Sequence, residues 1–245
     1  MLALVAIIII ALCNLGLGLV VLLKNRGSLT NITFSIFAFM LAAWLLITFY
    51  SNDVALNHAL QLWLNRVTIF IPGVALYFLL LFSLLFTRKG DKYFRSFAML
   101  LGLISLVVSV IATTPLVISS IYPRDNIVAI KYGTLTPLFF IFIVAEFIAI
   151  IAILTMSVGR LSGAAKARTQ IMAGSIFLAL VVTVITNLVL PVAFNNYRYV
   201  PLGLVSTIII VGGFTYAIIK HRLFDIRSVV ARSVAYFLLL SLIHI

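Results

Sequence analysis

Long, continuous apolar runs make up most of the sequence, and short polar stretches separate them. A helix that crosses a bilayer needs about 20 predominantly apolar residues. Seven runs meet this length, at approximately residues 2–23, 32–50, 67–86, 96–114, 135–157, 171–192 and 201–219. Because the runs are continuous rather than alternating, they predict helices and not the strands of a membrane barrel. The predicted fold class is therefore all-α, a polytopic membrane helix bundle with seven complete spans.

An eighth apolar run begins near Ser233 and reaches Ile245, the last residue of the sequence, after only 13 residues. This length is too short to cross a bilayer, so we interpret the run as the truncated start of a further transmembrane helix. The predicted organisation is a seven-helix transmembrane region over residues 1–232, followed by this incomplete segment over residues 233–245.

Composition supports a membrane protein over a water-soluble one. Hydrophobic residues make up 64% of the chain and charged residues only 9%, with a mean hydropathy of +1.30. A soluble domain is about half apolar and about a quarter charged. Cys13 is the only cysteine, so no internal disulfide can form, and no Cys/His spacing suits a metal. We predict no metal site and no cofactor.

The net charge of +12 would by itself suggest a nucleic-acid partner, but the basic residues lie between the apolar runs. We therefore expect the lipid bilayer, with anionic headgroups at the cytoplasmic face, as the partner, and no nucleic acid. Thirteen of the 17 basic residues fall in the odd-numbered loops: Lys24, Arg26, Arg88, Lys89, Lys92, Arg95, Arg160, Lys166, Arg168, Lys220, Arg222, Arg227 and Arg232. The positive-inside rule then predicts a multi-pass protein of the cell membrane with its N-terminus outside.

Glu146 is the outstanding candidate for chemistry because it lies near the middle of the fifth predicted span. An ionised carboxylate there costs several kcal/mol unless it is protonated, paired or hydrated. No basic residue lies at matching depth in another span, which argues against an intramembrane ion pair. Glu146 is therefore either a ligand- or proton-sensing group or a neutral side chain that hydrogen-bonds to a neighbouring helix.

Two further polar residues, Thr183 and Asn187, are four apart in the sixth span and share one helix face. We include them as sensing candidates, although hydrogen bonding between helices is the more ordinary role of such residues. Asn187 precedes Pro191 by four positions, so its carbonyl loses its helical donor and this helix end should be distorted. Pro72 creates a similar weak point in the third span. Four glycines are predicted to allow close helix packing: Gly16, Gly18, Gly212 and Gly213.

Several enzyme classes lack their sequence signatures here. The chain has no P-loop, no HExxH, no GxSxG and no Gly-rich nucleotide motif. The seventh span has no lysine for a retinal Schiff base, and the loops have no paired acidic residues for metal-assisted hydrolysis. A lipid-modifying enzyme would therefore lack both nucleophile and metal ligands, and we expect this chain not to be an enzyme.

The second half of the chain carries a series of short motifs. They are Arg168-Thr-Gln170, Thr186-Asn-Leu-Val-Leu-Pro191, Pro201-Leu-Gly203 and Tyr216-Ala-Ile-Ile-Lys-His-Arg-Leu-Phe-Asp-Ile-Arg227. This series resembles the N-terminal seven-helix membrane region of bacterial sensor histidine kinases. The Trp63, Arg66, Pro72 and Phe82 series in the third span is also similar to that family. The resemblance covers about residues 1–232.

The resemblance implies a sensory and anchoring module of a two-component sensor kinase. Its output domain, which would phosphorylate a histidine and make the protein a homodimer, is absent from this sequence. The signal would leave the bundle through the segment that follows the seventh span, with Arg222, Phe224, Asp225 and Arg227 as its polar and apolar contacts at the membrane surface. The competing interpretation is a small-molecule or ion-coupled secondary transporter that uses Glu146. The sequence shows no inverted repeat that would favour it.

Overall fold

The computed structural model describes residues 2–52, 56–87, 92–124, 127–190, 194 and 199–221. Helices dominate these residues, as the continuous apolar runs predict. The α-helices are α1 (Leu2–Lys24), α2 (Leu29–Ser51), α3 (His58–Thr87), α4 (Lys92–Ala112), α5 (Thr136–Val158), α6 (Gly163–Val184), α7 (Val200–Val205) and α8 (Thr207–His221). A π-helical segment, Ile185–Val189, continues α6, and a β-hairpin of β1 (Ile118–Arg124) and β2 (Ile127–Tyr132) lies between α4 and α5.

Each of the seven predicted runs coincides with helix over most of its length. In the described part of the chain, five helices are long and apolar enough to cross a membrane, and Ala98–Ala112 and Leu202–Ile218 are shorter apolar helices. The third helix begins at His58, nine residues before its predicted start, because polar residues such as Asn65 and Arg66 extend the helix beyond the apolar run. The seventh run is divided at Ser206 into α7 and α8. The predicted eighth segment lies outside the described residues.

The β-hairpin is an addition to the all-α bundle that the sequence analysis did not predict. β1 and β2 are antiparallel, with Ile121 paired with Ile130, and a register irregularity occurs between Ile118 and Ser120. Their buried apolar side chains pack against Leu62 and Ile69 of α3. The hairpin therefore covers the end of the bundle at which α3 and α5 begin. We call this the hairpin end and the opposite end, where α1 and α5 finish, the basic end.

The helices pack in a closed arrangement in which α2 contacts α1 and α3, α5 contacts α3 and α6, and α8 contacts α6 and α1. The helix α4 is peripheral: it packs along α3 and touches α5 over only a short stretch. Its outward face is strongly exposed: the residues Met99 and Leu103 have exposed fractions of 60% and 59%. In a bilayer, such exposed apolar side chains face lipid at no cost.

The largest core cluster contains three fully buried phenylalanine rings from different helices, Phe34 of α2, Phe82 of α3 and Phe214 of α8. The Phe34 and Phe214 rings stack at a centroid distance of 5.2 Å, and Phe82 lies 5.5 Å from Phe34 and 5.9 Å from Phe214. Aromatic pairs at such distances stabilise packing beyond the area that they bury. This group, here called the aromatic triad, ties α8 to α2 and α3 near the basic end.

The prediction that four glycines allow close packing is right for two of them. A Cβ at Gly18 would lie 2.7 Å from Cε1 of Phe39, and a Cβ at Gly213 would overlap the side chain of Ser175 on α6. No such neighbour lies within 4 Å at Gly16 or Gly212, so the prediction is wrong for these two positions. Gly212 instead lines an apolar cavity between α8 and α1, opposite Cys13.

Candidate functional site: polar clusters within the bundle

Glu146 is buried in the contact between α4 and α5. Its side chain is only 6% exposed, and Ser105 of α4, which is 2% exposed, donates a hydrogen bond from Oγ to Glu146 Oε1 over 2.5 Å. The second carboxyl oxygen, Oε2, is buried and has no hydrogen-bond partner among the described residues. Half of the carboxyl group is therefore satisfied by a neighbouring helix, and half is not.

Ser109 lies one helical turn beyond Ser105 on the same face of α4. Its side chain is fully buried, and its hydroxyl oxygen also has no partner among the described residues. It faces Gly73 of α3 so closely that a Cβ at that position would overlap Ser109 Oγ. The same hypothetical Cβ would lie 3.9 Å from Ile143, three residues before Glu146 on α5. Ser109 is thus placed where α3, α4 and α5 meet.

These contacts define the first candidate site, the Glu146 cluster, which consists of Glu146, Ser105, Ser109 and the adjacent Gly73. It combines one carboxyl group with two hydroxyl groups in apolar surroundings. Carboxylate and hydroxyl oxygens bind protons and hard cations, and they also accept or donate hydrogen bonds to a polar ligand. Sequence analysis found Glu146 but missed both serines, whose i, i+4 spacing inside an apolar run was the available signal.

Thr183 and Asn187 belong to a second cluster, where α6 and its π-helical continuation meet the α7–α8 break. The Thr183 and Ser206 hydroxyl oxygens are 2.9 Å apart, and Ser206 Oγ lies 2.7 Å from the carbonyl oxygen of Gly203. Gly203 packs against Asn187, since a Cβ there would lie 2.7 Å from Asn187 Cγ. Asn187 Oδ1 is buried and has no partner among the described residues. We call these four residues the Asn187 cluster.

The two clusters are distinct, so the structure does not bring the three sequence-derived sensing candidates together. Thr183 and Asn187 share a helix face and both meet α7 or the residue that follows it. Glu146 instead bonds to α4. The helix leaves α geometry at Ile185–Val189, the stretch where the sequence predicted distortion before Pro191. Pro191 itself lies outside the described residues.

The other proline position, Pro72, is compensated by a partner that sequence analysis did not identify. Pro72 has no N–H, so the carbonyl of Thr68, four residues earlier, loses its helical donor. The indole Nε1–H of Trp44 on α2 donates to that carbonyl oxygen over 2.9 Å. The weak point of α3 is therefore stabilised from α2, one residue before the glycine that Ser109 contacts.

Two basic residues of the quoted motifs also have identifiable roles. Arg66 of α3 donates from Nη2 over 3.0 Å and from Nε over 3.3 Å to the carbonyl oxygen of Ile118, which attaches the hairpin to α3. The guanidinium carbon of Arg168 lies 5.2 Å from the centroid of the Phe86 ring, and Phe86 stacks on Phe82 at 5.7 Å. The start of α6 is thereby connected to the aromatic triad.

Neither the exit segment nor a metal site adds to the candidates. The predicted exit residues Arg222, Phe224, Asp225 and Arg227 lie outside the described residues. Within the parts of the chain that the structure describes, no group of three or more His, Cys, Asp or Glu side chains is placed to hold a metal ion.

Comparison with known protein families identifies the membrane region. A family model described as the N-terminal 7TM region of histidine kinase matches residues 6–227, which include α1 to α8 almost completely and every residue of both clusters. The resemblance inferred from the motifs is therefore confirmed. In histidine kinases this membrane region is the sensory part and not the catalytic part. No curated protein matches the chain.

Proposed function

Because the chain belongs to the family of N-terminal 7TM regions of histidine kinases, we propose that it receives a stimulus and passes it through its helix bundle to a cytoplasmic output domain. The proposal includes the orientation expected from the loop charges, with the N-terminus outside and the basic end in the cytoplasm. The exit segment of Arg222, Phe224, Asp225 and Arg227 would then lie at the cytoplasmic surface, next to the output domain.

The observation that supports the proposal best is the position of α8. This helix leads directly to the predicted exit segment, and Phe214 joins it to the bundle interior through the aromatic triad. Phe82 belongs to α3, the helix that also carries Gly73 of the Glu146 cluster and the proline that Trp44 compensates. A change in how α3 packs is therefore expected to change the surroundings of α8 at its basic end.

Signalling further requires that a stimulus bind two arrangements of the bundle with different affinity. Elements that depart from regular α-helix are suited to such rearrangement, because their backbone hydrogen bonds are already incomplete or shared. The π-helical segment Ile185–Val189 and the α7–α8 break at Ser206 meet in the Asn187 cluster. We propose this junction as the place where α8 shifts relative to α6.

A chimera separates sensing from mere anchoring. Residues 1–232 are fused to a cytoplasmic reporter kinase, and a matched control replaces them with unrelated transmembrane helices of the same topology. The proposal predicts that kinase output changes with Glu146→Gln, Asn187→Ala or Phe214→Ala in the first fusion, at equal expression. If the kinase output of the fusion equals that of the control, and none of the three substitutions changes it under any tested condition, anchoring is the only function left.

A further inference from the structure

The Glu146 cluster contains two buried polar atoms that the rest of the described structure leaves unused. Glu146 Oε2 and Ser109 Oγ have no hydrogen-bond partner among the described residues, and their side chains are 6% and 0% exposed. Buried polar groups in proteins are nearly always satisfied, so each of these two oxygens calls for a partner such as a proton, an ion or a water molecule. Both oxygens belong to helices that meet at Gly73.

We propose that Glu146, Ser105 and Ser109 form a binding site for an exchangeable monovalent cation, either a proton or a sodium ion. Ser105 donates its hydroxyl proton to Oε1, which leaves Oε2 to carry the cation. A proton or a sodium ion can bind at Oε2, and Ser109 Oγ, one helical turn further along α4, is a second unpartnered oxygen where α3, α4 and α5 meet. In each case the cation exchanges with the aqueous phase and no other bond is broken.

The charged groups of α3 do not supply a fixed counter-ion. Arg66 is held at the hairpin end by the carbonyl oxygen of Ile118, and His58 lies at the start of α3, with its Nε2 3.4 Å from the carbonyl oxygen of Ile121. The titratable group nearest to the cluster along α3 is Tyr77, whose ring lies against Gly102 of α4. A phenol carries no positive charge.

The charged positions of α4 and α6 lie in the first turns of these helices, at the basic end. On α4 the basic and phenolic positions are Lys92, Tyr93 and Arg95, ten residues or more before Ser105, which is about 15 Å along a helix. On α6 they are Lys166 and Arg168, in its first turns at the basic end. Arg168 lies over Phe86. An ionised Glu146 in this part of the structure therefore needs a mobile cation.

The position of the site between a peripheral helix and the core gives cation binding a structural consequence. Helix α4 touches α5 over a short stretch, and the Ser105–Glu146 bond is the described polar link between them. Loss of the cation would leave an ionised carboxylate at this contact, which favours separation of α4 from α5 and entry of water. The inference that cation binding acts as a stimulus rests on the proposed function. The cation site itself is tested without any measurement of signalling.

The sequence provides a direct probe because Glu146 is its only glutamate, the other four acidic residues being aspartates. The chain is produced with glutamate carrying ¹³C at the side-chain carboxyl and placed in lipid nanodiscs. Infrared difference spectroscopy then follows this carboxyl group from about pH 5 to about pH 9, in NaCl and in KCl. Glu146→Gln identifies the band by removing it.

The proposal predicts that the labelled band changes from protonated acid to carboxylate within these conditions. Conversion by a rise in pH alone assigns the site to a proton, and conversion by NaCl but not KCl at fixed pH assigns it to sodium. A band that stays at the protonated position, or at the carboxylate position, in every condition would overturn the proposal. This result does not depend on signalling in the chimera. Failure of the cation site and failure of the proposed signalling function are therefore distinguishable.

The role of Ser109 is tested by Ser109→Ala, with Ser157→Ala as the matched control. Ser157 also lies on a spanning helix, but its hydroxyl group bonds to the carbonyl oxygen of Leu154 in its own helix. Removal of the Ser109 oxygen should raise the cation concentration at half-conversion by about tenfold, the effect of one lost hydrogen bond. The control should leave it unchanged. Equal midpoints in both variants and the wild type would remove Ser109 from the site.

Discussion

At the scale of single residues, Pro72 removes one hydrogen bond from α3 and Trp44 replaces it from α2. The proline was visible in the sequence, and so was the carbonyl that it frees, because both follow from the i to i−4 helical pattern. The donor was not visible, since it depends on which face of α2 is turned towards α3. Ser105 was not predicted as the partner of Glu146 for the same reason, because the contact depends on how α4 packs against α5. A lone acid in a span is conspicuous in sequence, whereas the helix that satisfies it is defined only by packing.

The Trp44 compensation predicts a specific double-mutant result. Trp44→Phe keeps an aromatic side chain, although a smaller one, and removes the indole donor to Thr68, so it should destabilise the folded chain by about 1 to 2 kcal/mol in detergent unfolding. With Pro72→Ala the peptide N–H is restored, so Trp44→Phe should then cost less than half as much. Equal costs of Trp44→Phe in both backgrounds would show that the indole does not serve the carbonyl freed by the proline.

The Ser105–Glu146 bond gives a second residue-scale prediction. Ser105→Ala leaves Glu146 Oε1 without its donor in apolar surroundings, and we expect a loss of about 1 kcal/mol in the free energy of unfolding. The effect should be greatly reduced when Glu146 is already leucine, because no carboxyl oxygen is then left unsatisfied. Reversible unfolding in mixed detergent measures both values. A cost of Ser105→Ala that is the same with leucine at position 146 would contradict the proposed link between α4 and α5.

At the scale of elements, span positions followed from the sequence because the bilayer sets both their length and their apolar character. The division of the seventh span at Ser206 did not, since an apolar run gives no sign of a break in its helix. The hairpin was missed although β-branched residues recur at Ile118, Ile121, Val128 and Ile130. A loop between two spans was treated as a simple connection, and its pairing is stabilised by Arg66 of another helix.

The contact between Asn187 and Gly203 predicts how the π-helical segment and α7 depend on each other. Gly203→Ala places a Cβ against the Asn187 side chain and should destabilise the chain by about 1 to 3 kcal/mol. Asn187→Ala in the same chain should restore much of this loss by making room. Gly174→Ala on α6 is the matched control, because a Cβ there meets nothing within 4 Å and improves helix propensity. Equal unfolding free energies for Gly174→Ala and Gly203→Ala would contradict the close approach.

At the scale of the whole molecule, the bundle holds its two polar clusters in different helix contacts. The Glu146 cluster joins peripheral α4 to α3 and α5, and the Asn187 cluster joins α6 to the broken seventh span. The aromatic triad lies in the core and connects α8 with α2 and α3. Hydropathy and motifs sufficed to predict the family and the membrane class. This arrangement required the structure, since it depends on contacts between residues far apart in sequence.

Kinase output from the chimera of residues 1–232 shows whether α8 transmits the packing state of the bundle. Phe214→Ala removes the α8 ring of the aromatic triad, whereas Ile208→Ala alters the same helix on a face that is 50% exposed. Autophosphorylation rates are compared in proteoliposomes at equal protein content. We expect Phe214→Ala to change the autophosphorylation rate several-fold and Ile208→Ala to leave it at the wild-type value. Equal rates for the two variants and the wild type would contradict the claim.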